Sequence, residues 1–162
     1  MQLQALIDSI ASTSLSVAIR EDFWIVPTVQ SVHICAIAVV VGSALLNELR
    51  LTGLIATDET VATVVKRYLP WMWGALGVLL LTGLVLVWGE PERTLKSEMF
   101  WLKIGLVLIG FALSVLFRKP LLDPKFDTQG SAWSWVVKPV AWLSLLTWVA
   151  VVCCGRWIAY AG

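Results

Sequence analysis

Charged side chains are scarce in this sequence. Asp, Glu, Lys and Arg make up 14% of its 162 residues, whereas soluble domains contain about 25%. The formal net charge is only +1, so no basic stripe is available for phosphate groups, and no nucleic-acid-binding motif is present. Apolar residues account for 59% of the chain, against about 45–50% in soluble domains. This composition excludes a soluble domain, a disordered chain and a nucleic-acid-binding protein, and it favours a protein embedded in a lipid bilayer.

Residues that carry chemistry are also scarce. The chain has one histidine, His33, and three cysteines. Cys35 lies two residues after His33, and two residues turn a helix by about 200°, so the two side chains face apart. Cys153 and Cys154 are adjacent and also diverge, which favours a role for the cysteines as small apolar core residues. Without a catalytic triad, paired carboxylates or spaced metal ligands, a proteinaceous active site is not expected, and we predict no catalyst.

Four apolar stretches are long enough to cross a membrane, which takes about 20 residues of helix. These stretches are residues 27–46, 70–88, 100–117 and 139–160. Three of them begin at or near a proline, a residue that suits the first turn of a helix. We therefore predict an all-α fold, in which residues 1–162 form one integral membrane domain with four transmembrane helices running up and down.

The orientation follows from the basic residues in the predicted loops. Seven of the 12 Lys and Arg residues fall on the side that contains the two longer loops, and five fall on the other side. Since cytoplasmic loops carry the excess of Lys and Arg, both termini are predicted to lie outside the cytoplasm.

Two segments outside the spans have the pattern of short interfacial helices. Leu3, Leu6, Ile7 and Ile10 repeat at helical spacing near the N-terminus. In the first long loop, Thr57 is the predicted cap of a second helix. The apolar face of that helix contains Val61, Val64, Val65 and Tyr68. We expect both helices to lie at the membrane surface and to pack on the bundle.

His33 lies inside the first predicted span, six residues past Pro27, which is about 9 Å below the membrane boundary. An ionisable side chain at this depth is costly, so we expect it to face the bundle and to have a partner. Gln30 is positioned to hold one ring nitrogen, and Ala36 leaves room for a flat ligand. These features fit an axial ligand of haem b. The alternative is a histidine that only forms a hydrogen bond across helices.

Haem b also needs cations for its propionates, and three lie on the side of the membrane nearer to His33. These candidates are Lys103, Arg93 and Arg156; the alternative for Lys103 and Arg156 is that they extend to the lipid headgroups. A pair of histidine ligands from one chain is excluded because His33 is the only histidine. Met99 is a candidate sixth ligand or an ordinary interface residue. Otherwise the iron is five-coordinate or takes its sixth ligand from another subunit.

Several short pieces of the sequence resemble a family of small bacterial inner-membrane proteins. They are Pro27, Gln30, His33 and Gly42, then Leu49-Arg50-Leu51-Thr52-Gly53, Pro70-Trp71, Thr82-Gly83, Phe100 and Lys103. Those proteins are in turn similar to the copper-resistance-D and membrane dihaem cytochrome b bundles. The resemblance implies a four-helix bundle in the bacterial inner membrane that binds b-type haem through histidines on its helices, and the distribution of Lys and Arg then predicts periplasmic termini. Only His33 matches such a ligand.

The predicted function is that of a membrane-embedded b-type cytochrome with one haem per chain, in electron transfer or redox sensing. We expect a homo-oligomer that exchanges electrons with a quinone or a periplasmic redox partner. One alternative is a cofactor-free structural or accessory subunit that assembles through small residues such as Ala38 and Gly42. Another is a copper-handling or transport protein, although the chain lacks the methionine clusters that suit copper.

Overall fold

The computed structural model describes residues 2–116 and 134–157, and this part of the chain is helical without any strand. Its helices are α1 (Gln2–Ala11), α2 (Ser14–Glu21), α3 (Ile25–Thr52), α4 (Val61–Gly89), α5 (Pro91–Leu95), α6 (Glu98–Leu116) and α7 (Ser134–Trp157). The predicted all-α class is therefore confirmed. Residues 117 and 158–160 of the predicted spans lie outside the described residues.

Three described helices are long and apolar enough to cross a membrane. They are Ile25–Thr52, Val61–Gly89 and Trp135–Trp157, with mean hydropathies of 2.0, 1.9 and 1.9. A helix of 28 residues such as α3 is about 42 Å long, more than the roughly 30 Å of hydrocarbon. Their length and apolar composition indicate a membrane protein. The third predicted span corresponds to α6, which is not among the three helices, so a fourth crossing remains a prediction.

The long helices pack in the order α4, α3, α7, α6. The α3 helix packs along both α4 and α7, and α6 packs on α7, whereas the backbones of α4 and α6 do not approach each other closely within the described residues. Between these two helices, Trp73 and Phe111 form an edge-to-face contact with ring centroids 5.2 Å apart. The α4 and α6 helices therefore meet through side chains.

Two apolar clusters fix the register of the helices. In one, Leu51 of α3 packs with Val65 of α4 and Ala141 of α7. In the other, Ala44 of α3 packs with Trp148 of α7. Because Leu51 is paired with Ala141 and Ala44 with Trp148, α3 and α7 are antiparallel. The end of the bundle where α3 begins is called the cap side below, and the end with the α3–α4 loop is called the loop side.

The short helices α1, α2 and α5 form a helical cap at the cap side. The Ser16 side chain of α2 is completely buried, and its hydroxyl donates a hydrogen bond of 2.7 Å to the carbonyl of Trp88 at the end of α4. A Cβ atom at Gly89 would lie 3.0 Å from the Ile19 side chain, so the glycine permits this close approach. The predicted surface helix at the N-terminus is thus present as two helices, α1 and α2. Ile7 of α1 is buried.

The second predicted surface helix does not exist as a separate element. Its residues form the first turns of α4, which begins after Thr60 and not after Thr57, because the Thr60 side chain accepts a hydrogen bond of 3.3 Å from the Thr63 amide. Pro70 lies inside this continuous helix and Pro139 lies inside α7, so neither marks a helix start. A proline removes one backbone donor, and here the helix continues through it.

The α3–α4 loop is fastened by a buried arginine. The α3 helix ends at Gly53, which adopts a left-handed conformation with φ of 79°. Arg50 is buried and donates from Nε, at 3.0 Å, and from Nη2 to the backbone carbonyl of Glu59. The Glu59 carboxylate pairs with Arg67 at 2.6 Å. Both groups of Glu59 therefore hold the loop against the ends of α3 and α4.

The Ser16 bond provides a test of how the cap is attached. Ser16→Ala leaves the Trp88 carbonyl buried without its partner, which should lower the free energy of unfolding by about 1–3 kcal/mol. Thermal unfolding in detergent micelles measures this loss. Ser9→Ala is the control, because the exposed Ser9 hydroxyl bonds only to a carbonyl of its own helix. Equal melting temperatures for the two variants would contradict the proposed attachment.

Candidate functional site

His33 is half-buried on α3 and faces α4. Its Nδ1 atom lies 2.6 Å from the Thr82 hydroxyl oxygen. A Cβ atom at the next residue, Gly83, would lie 3.7 Å from Cε1 of the ring, so α4 presents a low surface to the imidazole. His33 therefore faces a neighbouring helix and has a partner there. The partner of Nδ1 is Thr82, whereas Gln30 was the residue expected from the sequence.

The Thr82 hydroxyl can set which ring nitrogen carries the proton. Its oxygen lies 2.7 Å from the carbonyl of Val78 and 3.3 Å from that of Leu79. A hydroxyl has one hydrogen and a carbonyl can only accept. When the Thr82 hydrogen is directed to the Val78 carbonyl, Nδ1 of His33 is the donor in the bond to Thr82, and a neutral ring then has an unprotonated Nε2 whose lone pair can bind a ligand.

Lys103 of α6 belongs to the same region. Its ammonium group interacts electrostatically with both His33 and Cys154. The side chain passes over Gly155 of α7, where a Cβ atom would lie 3.4 Å from Nζ. Among the described residues, the ion pairs do not include Lys103. Four helices thus contribute to one region at the cap side, which is called the His33 site and consists of His33, Thr82, Gly83, Lys103, Cys154 and Gly155.

No described contact joins the other residues predicted for this site to His33. Arg93 of α5 forms an ion pair of 3.0 Å with Glu90. Arg156 is exposed in the last turn of α7, and Met99 is half-buried in the first turn of α6. Gln30 is half-buried about one turn before His33. The sequence therefore predicted the region shared by His33 and Lys103, and the roles of these four residues remain predictions.

Thr82 and Gly83 are the residues whose role the sequence did not reveal. Both are among the pieces that carry the family resemblance, and Thr82 is the only hydroxyl in the predicted span 70–88. The signal was therefore present, but it did not identify His33 as the partner.

The donor atoms near His33 limit what the site can hold. In residues 2–116 and 134–157, no three side chains among His, Cys, Asp and Glu come together as metal ligands. Cys35 points away and is exposed. A metal ion bound by side chains alone usually needs three or four of them, whereas haem iron needs one or two axial ligands from the protein. A single imidazole with an unprotonated Nε2 fits haem iron better than a metal ion held by side chains.

The family model described as a family of unknown function, DUF6644, matches residues 11–161. The chain belongs to this family. The matched residues extend from the end of α1 past the end of α7, so the whole His33 site lies within the part of the chain that the DUF6644 family shares. No curated protein and no solved structure matches the chain.

The tautomer of His33 can be tested directly, because labelling with ¹⁵N-histidine reports on this single residue. In haem-free protein with a neutral ring, we expect a protonated Nδ1 and an unprotonated Nε2 in the nitrogen NMR spectrum. Thr82→Val has a similar shape but lacks the acceptor, so it should give a mixture of tautomers. Thr63→Val, at an exposed threonine on the loop side, is the control. A wild-type ring protonated at Nε2 would refute the assignment.

Proposed function

We propose that this DUF6644 protein is a membrane-embedded b-type cytochrome that binds one haem per chain through Nε2 of His33. The proposal is carried by the contact of 2.6 Å between Nδ1 of His33 and the Thr82 hydroxyl oxygen. We infer that Nδ1 is the donor in this bond, which leaves Nε2 unprotonated. A hydrogen bond at the second ring nitrogen is the usual way in which proteins orient a metal-binding histidine and fix its tautomer. Thr82 is therefore a positioning residue for His33.

The residues around His33 supply what else a haem requires. Lys103 is a cation without an acidic partner among the described ion pairs, and it is our candidate to bind a propionate. Arg156 and Arg93 are further candidates. To bind a propionate, Arg93 would have to break its ion pair with Glu90. Gly83 and Gly155 have no side chains, so they leave space beside His33 and Lys103. Met99 is the candidate sixth ligand, and Gln30 is a candidate neighbour of the ring.

The chemistry that haem supplies when bound is one-electron transfer. The chain's own residues hold the ligand, balance its charge and exclude water. We therefore propose a role in electron transfer or redox sensing rather than catalysis, with a quinone or a periplasmic protein as the redox partner, and homo-oligomeric assembly. The resemblance to the copper-resistance-D and dihaem cytochrome b bundles supports this proposal, with a single ligand histidine as the main difference.

We also propose that α6 crosses the membrane as a fourth span. This helix packs on α7, and α7 is itself long and apolar enough to span. With four crossings and the observed distribution of Lys and Arg, both termini would lie in the periplasm of a bacterial cell and the α3–α4 loop in the cytoplasm.

This topology can be tested by thiol labelling of intact cells with a membrane-impermeant reagent. In a background without the native cysteines, Ser12→Cys in the cap should be labelled, whereas Thr57→Cys in the α3–α4 loop should react only after the cells are opened. Both positions are exposed, so exposure in the protein does not differ between them. The opposite pattern would invert the proposed orientation.

The ligand assignment is tested by the absorbance spectrum of purified protein. We expect a Soret band that shifts on reduction with dithionite and is lost in His33→Ala. Free imidazole should restore the band in His33→Gly, which separates loss of the ligand from loss of the fold. Lys103→Met should keep the band but release haem faster, because the ligand remains while a charge partner is lost.

Other results on the purified protein would favour the alternative functions. A colourless wild-type protein that assembles normally would support a cofactor-free structural subunit, and stoichiometric copper by metal analysis would support a copper-handling protein. A Soret band that persists unchanged in His33→Ala would show that His33 is not the ligand.

A further inference from the structure

The first helix of the helical cap has an apolar edge that the rest of the protein does not cover. The apolar stripe of α1 contains Leu3, Leu6, Ile7 and Ile10. Ile7 is only 2% exposed, whereas Leu3 is 46% and Leu6 is 49% exposed. On the other face of α1, the Gln4 amide donates a hydrogen bond of 3.0 Å to the Asp8 carboxylate. The stripe therefore has one edge that packs on the protein and one open edge, formed by Leu3 and Leu6.

The end of α4 marks the membrane boundary on the cap side. Between Arg67 and Glu90, 22 consecutive residues of α4 carry no charged side chain. A helix of this length is about 33 Å long, which matches the roughly 30 Å of hydrocarbon and leaves almost no excess. Gly89, the last residue of α4, therefore lies at the boundary between the hydrocarbon and the lipid headgroups.

The helical cap is attached at this same level. The Ser16 hydroxyl of α2 binds the Trp88 carbonyl, and the Ile19 side chain of α2 lies against Gly89. The α1 helix packs on α2, α4 and α5, and only residues 12 and 13 separate it from α2. Both N-terminal helices therefore lie next to the membrane boundary, which is where amphipathic helices bind lipid.

Exposed aromatic side chains indicate the same boundary independently. Phe23 and Trp24 lie directly before α3, and their exposed rings are 4.7 Å apart. Trp101 in the first turn of α6 is also exposed, and its indole N–H donates a hydrogen bond of 3.1 Å to the Leu95 carbonyl of α5. Tryptophan is enriched at the level of the headgroups. The starts of α3 and α6 thus agree with the end of α4 about the position of the boundary.

The charges of α1 and α2 favour contact with the apolar part of the lipid. Residues 2–22 contain one basic side chain, Arg20, and three acidic ones, Asp8, Glu21 and Asp22. Arg20 already donates to two backbone carbonyls of this segment. Amphipathic helices that bind anionic lipid are rich in Lys and Arg on their polar face, and this segment is not. Attraction to the lipid must therefore come from apolar side chains.

We propose that Leu3 and Leu6 insert into the lipid at the cap-side boundary, so that α1 anchors the cap in the plane of the membrane surface. Ile7 holds the same helix to the protein, and the face with Gln4 and Asp8 is directed to water. The sequence predicted a surface helix, and the structure now separates its lipid-binding residues from its protein-binding residue. Because the segment is acidic, the anchor does not require anionic lipid. This inference is independent of haem.

Spin labelling of the two faces of α1 tests the proposal. In a background with Cys35, Cys153 and Cys154 replaced by Ala, a nitroxide is attached at Leu6→Cys or at Gln4→Cys, and the protein is reconstituted into phosphatidylcholine vesicles. Gln4 is the matched control, because it is also exposed on α1.

The readout is the collision rate of each nitroxide with oxygen, which concentrates in lipid, and with a nickel chelate, which stays in water. We expect the label at Leu6→Cys to collide more with oxygen and the label at Gln4→Cys to collide more with the nickel chelate. Replacing part of the phosphatidylcholine with anionic phosphatidylglycerol should leave the depth of the label unchanged.

Three results would overturn the proposal. Equal access of the nickel chelate to both positions would place the open edge of α1 in water. Protection of Leu6→Cys from both reagents would place this edge against a second copy of the chain or another protein. A label that moves deeper when phosphatidylglycerol is added would show that headgroup charge anchors the helix.

A measurement on the unsubstituted protein covers the case in which a variant does not fold. A phospholipid with a diazirine in its acyl chain is photoactivated, and mass spectrometry of the tryptic peptide of residues 1–20 locates the crosslinks. We expect crosslinks at Leu3 and Leu6. Crosslinks at Gln4 and Asp8 instead, or none in this peptide while the membrane spans are labelled, would contradict the insertion of the open edge.

Discussion

A polar group inside a bilayer has to find its partner within the protein or in water that the protein holds, because hydrocarbon offers none. The bond between His33 and Thr82 meets this requirement with a side chain from the neighbouring helix. With the Thr82 hydrogen directed to the carbonyl of Val78, Nδ1 is the donor and the other ring nitrogen is unprotonated. The same contact that makes the histidine tolerable in the membrane therefore also prepares it to bind a ligand.

The two halves of the bundle meet this constraint differently. On the cap side, His33 and Lys103 lie where α4 and α6 are separated, next to Gly83 and Gly155. On the loop side, the buried Arg50 guanidinium binds the backbone carbonyl of Glu59. The first half therefore meets the constraint with a side-chain partner on a neighbouring helix, and the second half meets it with a carbonyl of the α3–α4 loop.

Hydropathy was sufficient to predict the helices, since every predicted span corresponds to one. It misplaced the start of α4, because Pro70 removes one hydrogen bond without ending the helix. Because an ionisable side chain in a membrane is costly, the sequence predicted that His33 faces a neighbouring helix. The predicted depth of Lys103 in the membrane was similar to that of His33, so the sequence also predicted that the two lie in one region. Thr82 was not predictable as the partner. It lies 49 residues from His33, and the register of two almost uniformly apolar helices is not encoded in their periodicity.

The helical cap explains how the C-terminal end of α4 can be covered by other parts of the protein. The last carbonyls of a helix have no partner within the helix. At the end of α4, the buried Ser16 hydroxyl binds the Trp88 carbonyl, and α5 begins directly after it with Glu90 as its cap. These bonds let α2 and α5 cover the end of the helix that carries Thr82. The helix that carries Thr82 therefore ends against protein, and the close approach of Ile19 to Gly89 fixes α2 at that end.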